Sequence, residues 1–92
     1  MNITLTPAAV RFVERMVRFG GGAGMRLTVS PGGCSGLASE FTVEVAPHEG
    51  DAVQESGGAR LFLPAQSAAL LDGITIDFRD TPTDTGLVFI DP

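Results

Sequence analysis

Six short segments after residue 24 alternate apolar and polar residues with a period of two, and turn residues punctuate the junctions between them. They are Met25 to Val29, Ala38 to Val45, Ala52 to Glu55, Ala59 to Leu63, Ile74 to Phe78 and Gly86 to Ile90. Each is long enough for one strand, and each has one face to bury. The chain is therefore expected to be mainly β within an α+β class, as two packed β layers or a flattened barrel of short strands. Residues 1–92 are read as one domain. A chain of this size buries roughly 60–65% of the surface it exposes when unfolded, so its core is modest and association would add to it.

Only two stretches carry a helical pattern. Thr6-Pro7 reads as an N-cap followed by proline at the first helical position, where its missing N–H is no loss. From Pro7 to Phe19, Val10, Val13, Met16 and Val17 recur at three- and four-residue steps, with Arg11, Arg15 and Arg18 on the other face. Gly20 to Gly24 closes this helix and is expected to act as a flexible joint. It does not read as a phosphate loop, because phosphate-binding glycines follow a strand and open a helix. A shorter helix is expected over Ala65 to Leu71, ended by Asp72-Gly73. Ile3-Thr4-Leu5 reads as a short opening strand, Pro47 to Gly50 as a turn, and Asp80 to Thr85 as a polar loop.

Charge and cysteine content exclude several function classes. The net charge is −5, there is no lysine, and the six arginines are scattered except for the three on the first helix. A nucleic-acid footprint is not expected from this balance. One cysteine forms no internal disulfide, no apolar run approaches the length of a membrane span, and the N-terminus lacks a secretory pattern, so the expectation is a cytoplasmic protein.

That cysteine is the most informative chemical feature. Cys34 sits in Ser30-Pro31-Gly32-Gly33-Cys34-Ser35-Gly36, between two alternating segments. Gly32, Gly33 and Gly36 remove side-chain cover, and with Ser35 they are read as the loop that shapes the site. A metal, a cluster or another protein's sulfur could approach such a thiol closely. As a buried small hydrophobe, the usual lot of a lone cysteine, Cys34 would not need three flanking glycines. His48, in Pro47-His48-Glu49-Gly50, reads as an exposed turn histidine and is left out of the site. Asp77 reads as a solvent-side strand residue. A hydrolase pairing Cys34 with His48 is not expected, since no third group to hold the base and no oxyanion site is recognisable; the chain is not read as an enzyme.

The order of Leu5-Thr6-Pro7-Ala8-Ala9, Met25-Arg26-Leu27, Gly33-Cys34-Ser35-Gly36, Leu71-Asp72-Gly73, Ile76-Asp77-Phe78 and Gly86-Leu87-Val88-Phe89 resembles the HesB/IscA family of A-type iron–sulfur cluster assembly proteins. The resemblance covers nearly the whole chain. It implies a small, mostly β protein, a homodimer or homotetramer, that binds iron or an iron–sulfur cluster and passes it to apo-proteins. It also implies that Cys34 is a metal ligand. In that family the matching cysteine works with a C-terminal Cys-Gly-Cys; here Asp91-Pro92 stands where the family has an Asn-Pro pair just before that segment. With one thiolate per chain, a cluster's other ligands are expected from a second copy, an external thiol such as glutathione, a partner protein's cysteines, or carboxylates or His48 at lower affinity, and the cluster is expected to be labile. The other reading is an adaptor of the same fold that binds no metal and interacts with assembly or client proteins.

Overall fold

The computed structural model describes residues 3–32, 37–82 and 84–90. The elements run β1 (Thr4–Leu5), α1 (Pro7–Gly20), β2 (Gly24–Pro31), β3 (Leu37–Glu44), β4 (Ala52–Ser56), β5 (Ala59–Leu63), α2 (Ala65–Leu71), β6 (Thr75–Thr81) and β7 (Asp84–Ile90). They form a four-stranded sheet in the order β3-β2-β5-β4 and a three-stranded sheet in the order β1-β6-β7. The hairpins β2–β3, β4–β5 and β6–β7 are antiparallel. Two parallel pairings, β1 with β6 and β2 with β5, draw distant segments together. The expected mainly β architecture with two helices is thus the observed one.

A single apolar core joins the two sheets. Met25, Leu27 and Val29 of β2 and Leu61 and Leu63 of β5 meet Ile3, Ile74 and Ile76 from the side of the smaller sheet. Helix α1 contributes Ala9, Phe12 and Val13, and α2 contributes Leu71. Phe12 lies just off the predicted stripe. Its ring stacks on Phe78 of β6 at 4.2 Å and meets Phe41 of β3 edge-on at 5.5 Å, so one side chain links both sheets.

The first turn of α1 is tied to β6 as well as capped. Thr6 Oγ1 accepts from the Ala9 N–H at 3.2 Å and donates to Asp77 Oδ1 at 2.6 Å. Asp77 Oδ1 also accepts from the Phe78 N–H at 2.9 Å. Asp77 is therefore half-buried and bonded, not a free solvent-side residue. The helix ends one residue later than expected, and Gly21 takes the left-handed cap with φ 69°.

The glycines that follow α1 form a packed joint, which corrects the expectation of a flexible one. A side chain at Gly22 would strike Val43 and the Glu44 carbonyl, and one at Gly24 would come within 2.6 Å of the buried Phe62 ring. Bare backbone is what lets the end of α1 lie against β3 and β5. The loop expected from Asp80 to Thr85 also differs. β6 continues to Thr81 and β7 begins at Asp84, with Thr81 and Asp84 in register. Polar residues carry no alternation signal, yet backbone pairing extends past the exposed Asp80 and Thr81.

Helix α2 supplies a substitute for strand pairing. β2 is bonded to β3 along its whole length, but its other edge meets β5 only at Met25 and Arg26. Beyond that point the fully buried Ser67 takes over: its hydroxyl accepts from the Val29 N–H at 3.0 Å and lies 3.4 Å from the Val29 carbonyl, to which it donates. Without Ser67 two buried backbone groups would lose their partner.

Two predictions follow from these contacts. Ser67→Ala should lower stability by about 1–3 kcal/mol, the usual cost of stranding buried polar groups, measured by chemical denaturation; a change within error would show that Val29 is satisfied otherwise. The second concerns acid. The Thr6 hydroxyl, and then the Phe78 N–H, hold the Asp77 carboxyl below its ordinary value of 3.8, and the Arg26 guanidinium does the same for Asp51. Carboxylates depressed in the folded state stabilise it fully above the unfolded value, and that contribution disappears as pH falls through the folded one. Stability should fall on acidification below about pH 5, and Asp77→Asn should flatten that decline while lowering stability at neutral pH. An unchanged pH slope in the variant would refute the role given to Asp77.

Candidate functional site

The β2–β3 hairpin carries the cysteine segment. Its register runs from Gly24 opposite Glu44 to Pro31 opposite Leu37, so residues 32–36 connect the two strands at its tip. Of the predicted site residues, Gly32 is exposed with φ 147°, a conformation suited to glycine. Gly33, Cys34, Ser35 and Gly36 lie outside the described residues. The site is accordingly built from the strands that deliver that segment.

Those strands pass from core to solvent over a few residues. Leu27 and Val29 are buried, whereas Ser30, Pro31 and Gly32 are exposed; on the return strand Leu37 is half-buried and Ala38, Ser39 and Glu40 are exposed. Strand alternation puts Thr28 and Ser30 of β2 beside Glu40 and Ala38 of β3 on the outward face. There Thr28, Ser30, Ala38, Ser39 and Glu40 line a shallow groove of about 240 Å³. The side chains nearest the tip are small or uncharged. No described neighbour along either strand brings a formal charge closer to the tip than Glu40.

The base of the hairpin is held more firmly. Ser67 anchors β2 at Val29, two residues before Pro31. At the other end, Arg26 Nε donates to Asp51 Oδ2 at 3.0 Å and Nη2 reaches Oδ1 at 3.4 Å, a forked pair with the Asp51 side chain almost wholly buried. The Asp51 Oδ2 also accepts from the His48 N–H at 3.0 Å. Strand β2 is thus held near both of its ends, by Ser67 at Val29 and by Asp51 at Arg26.

His48 is the half-exposed turn residue that was expected. Its Nε2 lies 3.3 Å from Glu44 Oε1. Glu44 is held below the ordinary carboxylate value by the Thr42 hydroxyl and then by His48. Among the described residues no group of three His, Cys, Asp or Glu side chains is placed to hold a metal ion. The residue that sequence reasoning missed is Ser67. Its signal is a polar residue four positions before Leu71, which puts it on the same buried helix face.

Comparison with known proteins fits this geometry. The sequence profile of the iron–sulphur cluster biosynthesis family matches residues 1–92. An uncharacterized protein from the nifU 5′ region of Azotobacter vinelandii is 39% identical over 92 residues, covering 98% of this chain and 86% of that one. Among solved structures, Escherichia coli SufA, described as involved in biosynthesis of iron–sulfur clusters, superposes with a TM-score of 0.77 at 33% identity, over 99% of this chain and 81% of that one. An IscA structure with a [2Fe-2S] cluster gives 0.76 at 29% identity, over 98% and 85% of the two chains. No helix among the described residues is long and apolar enough to cross a membrane. The packed joint after α1, the Ser67-anchored hairpin and the two mixed sheets are therefore features of a protein that belongs to the iron–sulphur cluster biosynthesis family, of the HesB/IscA type.

Proposed function

We propose that the chain carries iron or an iron–sulfur cluster on Cys34 and delivers it to apo-proteins. The observation that supports this most is the hairpin: β2 and β3 stay paired up to Pro31 and Leu37, the two residues that bracket the segment holding Cys34, the one cysteine of residues 1–92. A carrier needs a ligand that two proteins can reach together. The likeness to an IscA that holds a [2Fe-2S] cluster points the same way.

Within residues 1–92 Cys34 is the one thiolate available. Iron–sulfur clusters take four protein or external ligands, mostly thiolates. Two copies related by a two-fold axis supply two Cys34 sulfurs, and an external thiol or the partner's cysteines supply the rest. Each Cys34 thiol releases its proton when it binds iron, so loading strengthens as pH rises. Delivery is ligand exchange. A client thiol loses its proton and forms an Fe–S bond while the Fe–S bond to Cys34 breaks and that thiolate is reprotonated; no electron changes hands. Having few protein thiolates to displace makes this exchange easy.

Anaerobic reconstitution with ferrous iron, sulfide and glutathione, followed by absorption spectroscopy and a metal count, tests the proposal. The wild type should gain visible Fe–S absorption, and Cys34→Ser should lose it with its melting temperature nearly unchanged. A wild type that stays colourless while still binding assembly proteins would make the chain an adaptor. A strongly destabilised Cys34→Ser, or a native Cys34 that thiol reagents fail to label, would make the residue core packing.

A further inference from the structure

We infer that the outward face of α1 is the docking surface for an acidic segment of a partner protein, an inference that rests on the carrier reading by identifying where the client is held. Arg11, Arg15 and Arg18 are all exposed and lie within a sector of about 60° on the side opposite the buried Ala9, Phe12 and Val13. Their spacing places each beside the next, so the three guanidinium groups repel one another along the helix. Arg18 in the last turn complements the helix dipole. Arg11 and Arg15 gain nothing comparable.

None of the three has an acidic partner among the described residues. The other arginines are differently placed: Arg26 pairs with Asp51, Arg60 donates to Glu55 at 2.7 Å, and Arg79 lies near enough to Asp77 to lower its pKa. Glu14, on the same helix, turns away toward the β4–β5 turn, where its carboxylate occupies the space a Gly58 side chain would need. In a chain of net charge −5 this leaves one concentrated positive stripe. At its C-terminal end stands Phe19, 79% exposed, the most exposed large apolar side chain described. An aromatic anchor beside arginines is the composition of an interface centre.

Charge decides the occupant. A two-fold contact between copies centred on α1 would set this stripe against itself, and two chains of net negative charge repel overall. An acidic segment carrying an apolar residue for Phe19 meets the stripe with opposite charge at close range, where the local positive potential outweighs the net charge of the chain. The placement also suits delivery. Phe12 of α1 touches Phe41, and Phe41 is seven residues from Cys34, at most about 24 Å of extended chain. A client held on α1 can bring its thiols to the hairpin tip.

The test uses a short fluorescein-labelled peptide of glutamates with two leucines, its lysine counterpart, and duplex DNA, read by anisotropy against the full chain. The wild type should bind the glutamate peptide alone, more weakly as salt is added, and R11E/R15E/R18E should raise its Kd about tenfold or more. R11Q/R15Q/R18Q should melt at or above the wild-type temperature and sediment as the wild type does, with the same iron content after reconstitution. Unaltered peptide affinity in the reversed-charge variant, a smaller sedimenting species in the neutral one, or equally tight binding of DNA would each overturn the inference. Peptide binding by a chain that takes up no iron would instead sink the carrier reading and leave the docking surface standing.

Discussion

The hydroxyl of Ser67, bonded to both backbone groups of Val29, is the contact on which the arrangement of the site depends. β2 is the strand that everything else refers to. It is the full-length partner of β3, the parallel neighbour of β5, and the source of three core side chains. Its second edge runs out of strand partners after Arg26, because β5 leaves the sheet to become α2 through Pro64. A buried edge with unpaired N–H and C=O groups costs as much as several good contacts gain. One serine on α2 closes that gap, and it does so just before the backbone turns outward to the cysteine segment.

The rest of the fold serves the same end by close approach. Gly22 and Gly24 let the backbone after α1 touch β3 and the Phe62 ring, so the helix and the start of the hairpin share one junction. Phe12 carries that junction to the second sheet through Phe78. Thr6 and Asp77 hold the other end of the helix. The start of the hairpin cannot shift without disturbing both sheets, whereas Ser30, Pro31 and Gly32 at the other end of β2 are exposed.

Much of this was legible in the sequence. The strands follow from alternation because their inward faces, such as Met25, Leu27 and Val29, are buried while their neighbours are not. Thr6-Pro7 marked the helix start, and the glycines marked its end. What alternation does not encode is pairing: nothing in Met25-Arg26 announces a parallel neighbour at Leu61-Phe62, nor in Thr4-Leu5 one at Thr75-Ile76. Tertiary polar contacts were equally hidden. Asp77 looked like a solvent residue because its partner, Thr6, is remote in the chain, and Ser67 looked like one more small helix residue. Conformational freedom suggests a flexible glycine tract, but packing against Val43, Glu44 and Phe62 is the stronger constraint. Of the site itself, the sequence supplied the thiol and its glycines, and the structure supplied the anchored strands that carry them.

The proposal at the centre of this account is that iron or a cluster held through Cys34 is shared by two copies of the chain. Family membership places the chain in iron–sulphur cluster biosynthesis, and β2 and β3 bracket the segment that holds Cys34. Native mass spectrometry of the anaerobically reconstituted protein tests the claim most directly, because it reads chains, irons and bound small thiols in one species. The account predicts that cluster-bearing ions contain two chains per cluster, with external thiol retained at the open positions. Iron or a cluster carried by single chains would contradict it.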